Sequence, residues 1–205
     1  MIFVLVAVAC SRSERGVRVS EPTLTSAATN VADGYASGDY VEEIVVSNGQ
    51  TRGYRLHVPK SYQAGQPLPL IINLHGLNSN AAQQEQVSGM STKADQSNFI
   101  VVYPEGLGNP QTWHVGSRAE GDADLQFIRD LIAYLQVRLS IDASRIYATG
   151  ISNGAQMSNR LGCDMGDVVA AIAPVSGGYA PTEQCRPVRP VPVVAFHGTA
   201  DKILP

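Results

Sequence analysis

RIYATGISNGAQMSNRL, residues 145–161, decides the fold. Arg145–Thr149 is a short β-rich run, and Asn153–Leu161 reads as a helix, so the chain must reverse between them within a few residues. Gly150-Ile151-Ser152-Asn153-Gly154 fills that gap, a G-x-S-x-G between strand and helix. A turn this sharp crowds the positions two before and two after the serine, which is why glycine occupies both. It also pushes the serine hydroxyl toward the helix N-terminus, where free amides and partial positive charge gather. A glycine-rich turn whose serine merely caps a helix is the plainer reading, and the surrounding pattern decides between them.

Working outward, Leu68–Leu74 is nearly continuous in apolar residues, as a strand buried on both faces should be, and it ends in His75-Gly76. Ala81–Ala94 is polar and reads as helix. A second apolar run, Phe99–Tyr103, stops at Pro104-Glu105-Gly106. Leu125, Ile128, Ile132, Leu135 and Leu139 then recur along one helical face, with Asp124 placed to cap its start. Val168–Ala173 and Val191–Phe196 complete the strand-like runs. Near the N-terminus, Val41–Val46 and Tyr54–Val58 flank the turn cluster Ser47–Gln50 and read as an antiparallel hairpin. Strands alternating with helices require crossovers, hence an α/β fold with a mostly parallel sheet.

In open parallel sheets chemistry collects beyond the C-terminal strand ends. Three ends here carry unusual residues. Ser152 is the candidate nucleophile, framed by Gly150 and Gly154. An acyl-transfer site also needs amide donors for the developing oxyanion, and the backbone N–H groups of Asn153 and Leu77 are placed to supply them. His75 precedes the nucleophile and reads as a loop-holding residue rather than a base. Asp201, in Phe196-His197-Gly198-Thr199-Ala200-Asp201, is the candidate carboxylate that orients a histidine.

Composition narrows the function classes. Fifteen Lys+Arg against 18 Asp+Glu give a formal net charge of −3 with no basic cluster, which leaves no footprint for nucleic acid. The 44% hydrophobic content is ample for a packed core over most of the chain. Residues 1–10, MIFVLVAVAC, read as a signal peptide or lipoprotein signal, with Cys10 of Ala7-Val8-Ala9-Cys10 the candidate lipidation site; a short buried strand is the plainer alternative. The run is too short to span a bilayer, so membrane attachment is expected only through a lipid on Cys10. Residues 11–39 lack an apolar period and read as a flexible linker, placing the folded domain at 40–205.

The stretch from Tyr54 to Pro205 resembles the α/β-hydrolase fold of the polyhydroxybutyrate depolymerase-like esterases, which include feruloyl and acetylxylan esterases. The resemblance is carried by LPLIINLHG, VVYPEG, DLQFIRDLIAYL, IDASRIYATGISNGAQM, AIAPVSG and CRPVRPVPVVAFHGTADKILP. Gln126 stands where the family usually has glycine. The resemblance implies Ser152 as nucleophile, Asp201 as triad acid, and a triad order of Ser, Asp, His. The four histidines, His57, His75, His114 and His197, all precede Asp201. The expectation is therefore a domain incomplete at its C-terminus, lacking the last strand, its helix and the catalytic histidine, with a raw hydrophobic sheet edge.

Loss of that base implies a chain slowed by on the order of 10⁶ in kcat. The loop Leu107–Gly121 is expected to border the pocket, with Trp113 either contacting substrate or packing. Serine ester hydrolysis is complete without metal or organic cofactor, so none is expected. Cys163 and Cys185 are either a disulfide or two buried thiols; the pair suits an oxidising, extracellular or periplasmic compartment, and a bridge closing a loop of this size contributes about 3 kcal/mol. The expected partner is an ester: a polyester, a feruloyl ester or an acetylated polysaccharide. The competing class is a non-catalytic protein on the same fold.

Overall fold

The computed structural model describes residues 34–116, 118–178 and 185–204. The expected signal segment 1–10, with Cys10, and residues 11–33 of the expected linker lie outside the described residues. The described residues begin before the expected boundary at residue 40. Tyr35 stacks edge-on against Tyr40 and donates a hydrogen bond to Glu43 at 2.7 Å, and its hydroxyl lies 2.7 Å from that of Tyr54. Residues 35–39 thus belong with the fold rather than the linker, because an aromatic side chain with paired polar tip anchors them.

A six-stranded sheet runs in the order β1-β2-β4-β3-β5-β6. Its strands are β1 Gly38–Ser47, β2 Gln50–Val58, β3 Leu68–Leu74, β4 Ile100–Pro104, β5 Ile141–Ile151 and β6 Ala171–Val175. The first two form the expected hairpin, with Ser47 opposite Gln50, and β2 continues antiparallel onto β4. The pairs β3–β4, β3–β5 and β5–β6 are all parallel. Beyond β6, residues 193–196 continue in the same parallel sense through Ile172–Val193 and Val175–Phe196 bridges. This segment was expected as a full strand. Pro174 on β6 has no amide to donate, so the ladder is broken midway: Ile172 donates to Pro192, Val194 to Ile172, Phe196 to Pro174 and Ser176 to Phe196, and only isolated bridges form. At this outer position Val193, Val194 and Phe196 are exposed.

Helices cover both faces, as continuous apolar strands require. On one side, α3 (Arg118–Arg138) and α4 (Asn153–Asp164) bury Phe127, Leu131, Leu135, Met157 and Leu161 against Leu70, Ile72, Leu74 and Ala148. On the other, α1 (Ala81–Ser88) and α2 (Met90–Ser97) enclose Ala94, Val101 and Tyr103. One helix was expected over 81–94. Gly89, at φ 60°, ends α1 with a left-handed cap and starts α2. The helix expected from Asp124 begins instead at Arg118, so Asp124 is interior to α3 and caps nothing. Its carboxylate is buried and pairs with Arg52 at 2.9 Å.

Candidate active site

Three strand ends meet at the elbow between β5 and α4. Ser152 sits there at φ 55° and ψ −117°, a left-handed backbone rarely adopted by serine. Its amide donates to the Val175 carbonyl at the end of β6, and its own carbonyl accepts from the Gln156 amide, so the surrounding structure holds the conformation. A Cβ on Gly150 or on Gly154 would fall within 3.0 Å of the Leu74 carbonyl oxygen. Glycine at both positions therefore lets β5 turn into α4 directly against the end of β3. The serine side chain makes no capping hydrogen bond, which separates this turn from the plainer helix-cap reading.

The loop leaving β3 borders the nucleophile. A Cβ built on Gly76 would lie 3.6 Å from the Ser152 Cβ. Leu77 follows, with its side chain largely exposed. Among the described residues the amides of Leu77 and Asn153 donate to no hydrogen-bond partner. The two backbone groups expected to hold an oxyanion are thus free donors on segments adjacent to Ser152.

Of the two alternatives expected for Trp113, contact with substrate or packing, the structure shows packing. Trp113 is 1% exposed, its indole Nε1 donates to the His75 carbonyl at 3.0 Å, and its ring lies 5.2 Å from the imidazole of His75. An indole so enclosed is packing, and substrate contact by Trp113 is set aside. The Asn153 side chain locks this loop to the elbow: its Oδ1 accepts from the Trp113 amide at 2.7 Å and from Thr112 Oγ1 at 3.2 Å, while its Nδ2 donates to the Trp113 carbonyl at 3.0 Å. The sequence reading assigned only the amide of Asn153. A primary amide at the first helical position beside a nucleophile was the available signal for its second role.

Asp201 lies in the turn after the 193–196 segment. Its Oδ1 accepts from the amides of Ile203 and Leu204 at 2.9 and 3.0 Å. Those two donors, Leu204 foremost, hold its carboxyl below the usual carboxylate range. His197 Nε2 stands 3.5 Å from the other oxygen and donates to the Leu204 carbonyl. The turn approaches α4 through Gly178, where a built Cβ would be 3.3 Å from Gln156 Nε2 and 3.9 Å from Leu204 Cδ2. Among the described residues no hydrogen bond joins Ser152 to Asp201 or to a histidine. The other histidines are engaged elsewhere: His57 between Asp39 and Asp95, His114 with Asp124, and His75 with Gly76 and Gly106.

Cys163, in the last turn of α4, and Cys185 are joined by a disulfide with Cα atoms 5.0 Å apart. No group of three or more His, Cys, Asp or Glu side chains suited to a metal ion occurs among the described residues, nor any helix long and apolar enough to cross a membrane.

A mostly parallel sheet between helical layers, with a strained serine at the β5–α4 elbow beside a free amide loop, is the architecture of an α/β-hydrolase. Residues 52–188 match the family model for PHB depolymerase esterases, and the chain belongs to that family. It is 35% identical over 157 residues to feruloyl esterase B of Piromyces equi, covering 71% of this chain and 28% of the relative. It is 34% identical over 141 residues to poly(3-hydroxyalkanoate) depolymerase C of Paucimonas lemoignei, covering 65% and 34%. The chain thus spans well under half the length of these two relatives. Among solved structures, an acetyl xylan esterase from Aspergillus awamori superimposes with a TM-score of 0.59 at 24% identity, over 69% of this chain and 56% of that one, a likeness of fold.

Proposed function

We propose that the chain carries the nucleophile, acid and oxyanion hole of a secreted serine carboxylic ester hydrolase, acting on feruloyl, polyester or acetyl-polysaccharide esters. The observation that carries this reading is Ser152, held at φ 55° between β5 and α4 with the Gly76–Leu77 loop against it. In the reaction, Ser152 Oγ attacks the ester carbonyl while an imidazole takes its proton, and the amides of Leu77 and Asn153 receive the oxyanion. The alcohol leaves with that proton. Water then releases the acid and restores the serine. Asp201, held anionic by two backbone amides, orients and stabilises the imidazolium.

The base is an imidazole that none of the four histidines supplies, since each precedes Asp201 in the chain and each is hydrogen-bonded away from Ser152. Export through residues 1–10, with or without lipidation of Cys10, accords with the Cys163–Cys185 bridge.

The test is hydrolysis of p-nitrophenyl acetate by the 205-residue chain, with and without free imidazole, beside Ser152→Ala. The expected result is a rate near background without imidazole, and with it a gain over the same concentration of imidazole alone that Ser152→Ala lacks. Equal rates for the two proteins under both conditions would overturn the hydrolase reading and favour a non-catalytic protein on this fold.

A further inference from the structure

His75 is wholly buried beside the candidate nucleophile, yet the reaction above does not use it. Its ring has two contacts that fix one tautomer. Nε2 faces the Gly106 amide at 2.9 Å, a group that can only donate, so Nε2 carries the lone pair. Nδ1 then carries the proton and donates to the Gly76 carbonyl at 2.8 Å. The same carbonyl also accepts from the Ser79 amide at 3.2 Å.

The Gly76 carbonyl and the Leu77 N–H belong to one peptide unit. In a planar trans peptide these two groups point in opposite directions, and the only cis bond among the described residues is Asn109–Pro110. Fixing the carbonyl on the His75 ring therefore fixes the Leu77 N–H on the opposite side. Residue 76 abuts Ser152, as the 3.6 Å approach to its Cβ records. From these contacts we infer that His75 is a positioning residue: its neutral imidazole sets the 76–77 peptide so that the Leu77 amide serves as an oxyanion donor for Ser152. The inference rests on the hydrolase reading and assigns His75 a role within the same site.

The ring is itself held in place. Trp113 Nε1 binds the His75 carbonyl, and Asn153 holds Trp113 to the elbow, so the groups that would carry the nucleophile and the oxyanion share one rigid frame. Burial lowers the basicity of the imidazole, which favours the neutral form this arrangement needs, and outweighs the opposing pull of the Gly76 carbonyl, of Glu105 at 3.9 Å and of Asp124.

Two substitutions separate positioning from packing. His75→Asn keeps a donor near the place of Nδ1 and loses the Gly106 contact; His75→Gln keeps an acceptor near the place of Nε2 and loses the hold on Gly76. Residual dipolar couplings of the Leu77 amide read the direction of its N–H. Binding of phenylboronic acid reads the hole: boron bonds to Ser152 Oγ, the hydroxyl proton passes to solvent, and a tetrahedral anion forms with an oxygen placed on the donors. Emission of Trp113, the sole tryptophan, reports whether the surrounding fold is kept.

The expected result is a native Leu77 direction and boronate affinity in His75→Asn, with His75→Gln reorienting the amide and weakening the adduct by about 100-fold, the scale of one lost oxyanion donor. An unmoved Leu77 amide in a folded His75→Gln overturns the inference, as does a moved amide with undiminished affinity. An adduct that fails to form in the native chain, or persists in Ser152→Ala, overturns the hydrolase reading beneath it. Should His75→Gln not fold, the imidazole ¹⁵N spectrum of the native chain decides: a proton on Nδ1 alone is required, and one on Nε2 refutes the inference.

Discussion

Removing the Asn153 side chain tests whether the elbow and the Trp113 loop are one unit. Asn153→Ala deletes three hydrogen bonds, to the Trp113 amide, the Trp113 carbonyl and Thr112 Oγ1. The losses are unequal. The Trp113 carbonyl keeps a second donor, the Val115 amide at 3.1 Å, and the Thr112 hydroxyl also reaches that carbonyl at 3.5 Å. The Trp113 amide has no other acceptor among the described residues, and its residue is 1% exposed. One buried donor is thus stranded, at a cost of about 1–3 kcal/mol, and the lost neutral bonds bring the expected destabilisation to about 3 kcal/mol. Thr112→Val removes one bond of the same group without orphaning the amide, and is expected to cost about 1 kcal/mol or less. Urea unfolding followed by Trp113 emission measures both variants, because no other tryptophan contributes. A change below about 0.5 kcal/mol for Asn153→Ala, or equal costs for the two variants, would refute the claim that Asn153 ties the loop to the elbow.

The disulfide and the buried imidazole give two more expectations. Reduction of Cys163–Cys185, or Cys163→Ser with Cys185→Ser, releases a closure spanning 22 positions and should lower stability by about 3 kcal/mol; unfolding curves that coincide with and without reductant would contradict this. His75 has a pKa lowered in the fold by burial, so below about 6.5 the unfolded chain takes up a proton that the folded chain refuses. Stability should therefore fall as pH drops through that value, with a limiting slope of about 1.4 kcal/mol per pH unit from this one group. Urea titrations from pH 7 to 5 measure it, and a slope that persists in His75→Asn would assign it elsewhere.

The parallel sheet and the elbow could be read from residues because each is written locally. Leu68–Leu74 is apolar throughout since both of its faces are covered, and Gly150 and Gly154 flank Ser152 because both crowd the Leu74 carbonyl. The start of α3 was misplaced for a physical reason. Asp124 looks like a cap when only its chain neighbours are considered, but its partner is Arg52, 72 positions earlier on β2. The same holds for Trp113: neither its indole bond to His75 nor its burial is encoded by neighbours in sequence. Irregularity in the 193–196 segment comes from Pro174 on its neighbour β6, whose missing amide the apolar pattern of the run itself does not show.

The buried ion pair belongs to the same design. Arg52 is 2% exposed and Asp124 is fully enclosed, a setting in which the cost of dehydrating two charges offsets much of their attraction. Net stabilisation therefore does not account for the pair, and geometry does. Arg52 Nη2 donates both to Asp124 and to the Glu105 carbonyl, while the other Asp124 oxygen accepts from the His114 amide at 2.9 Å. One guanidinium and one carboxylate thereby pin residues 105 and 114, which flank the part of the loop that carries Trp113. Gly106, next to the first pin, donates to His75, and Trp113, next to the second, is held by Asn153. An apolar pair of equal volume could fill this space without fixing either end, leaving the His75 ring without a defined acceptor role. The polar pair is retained, on this argument, because the Gly76–Leu77 peptide beside Ser152 is only as rigid as the loop behind it.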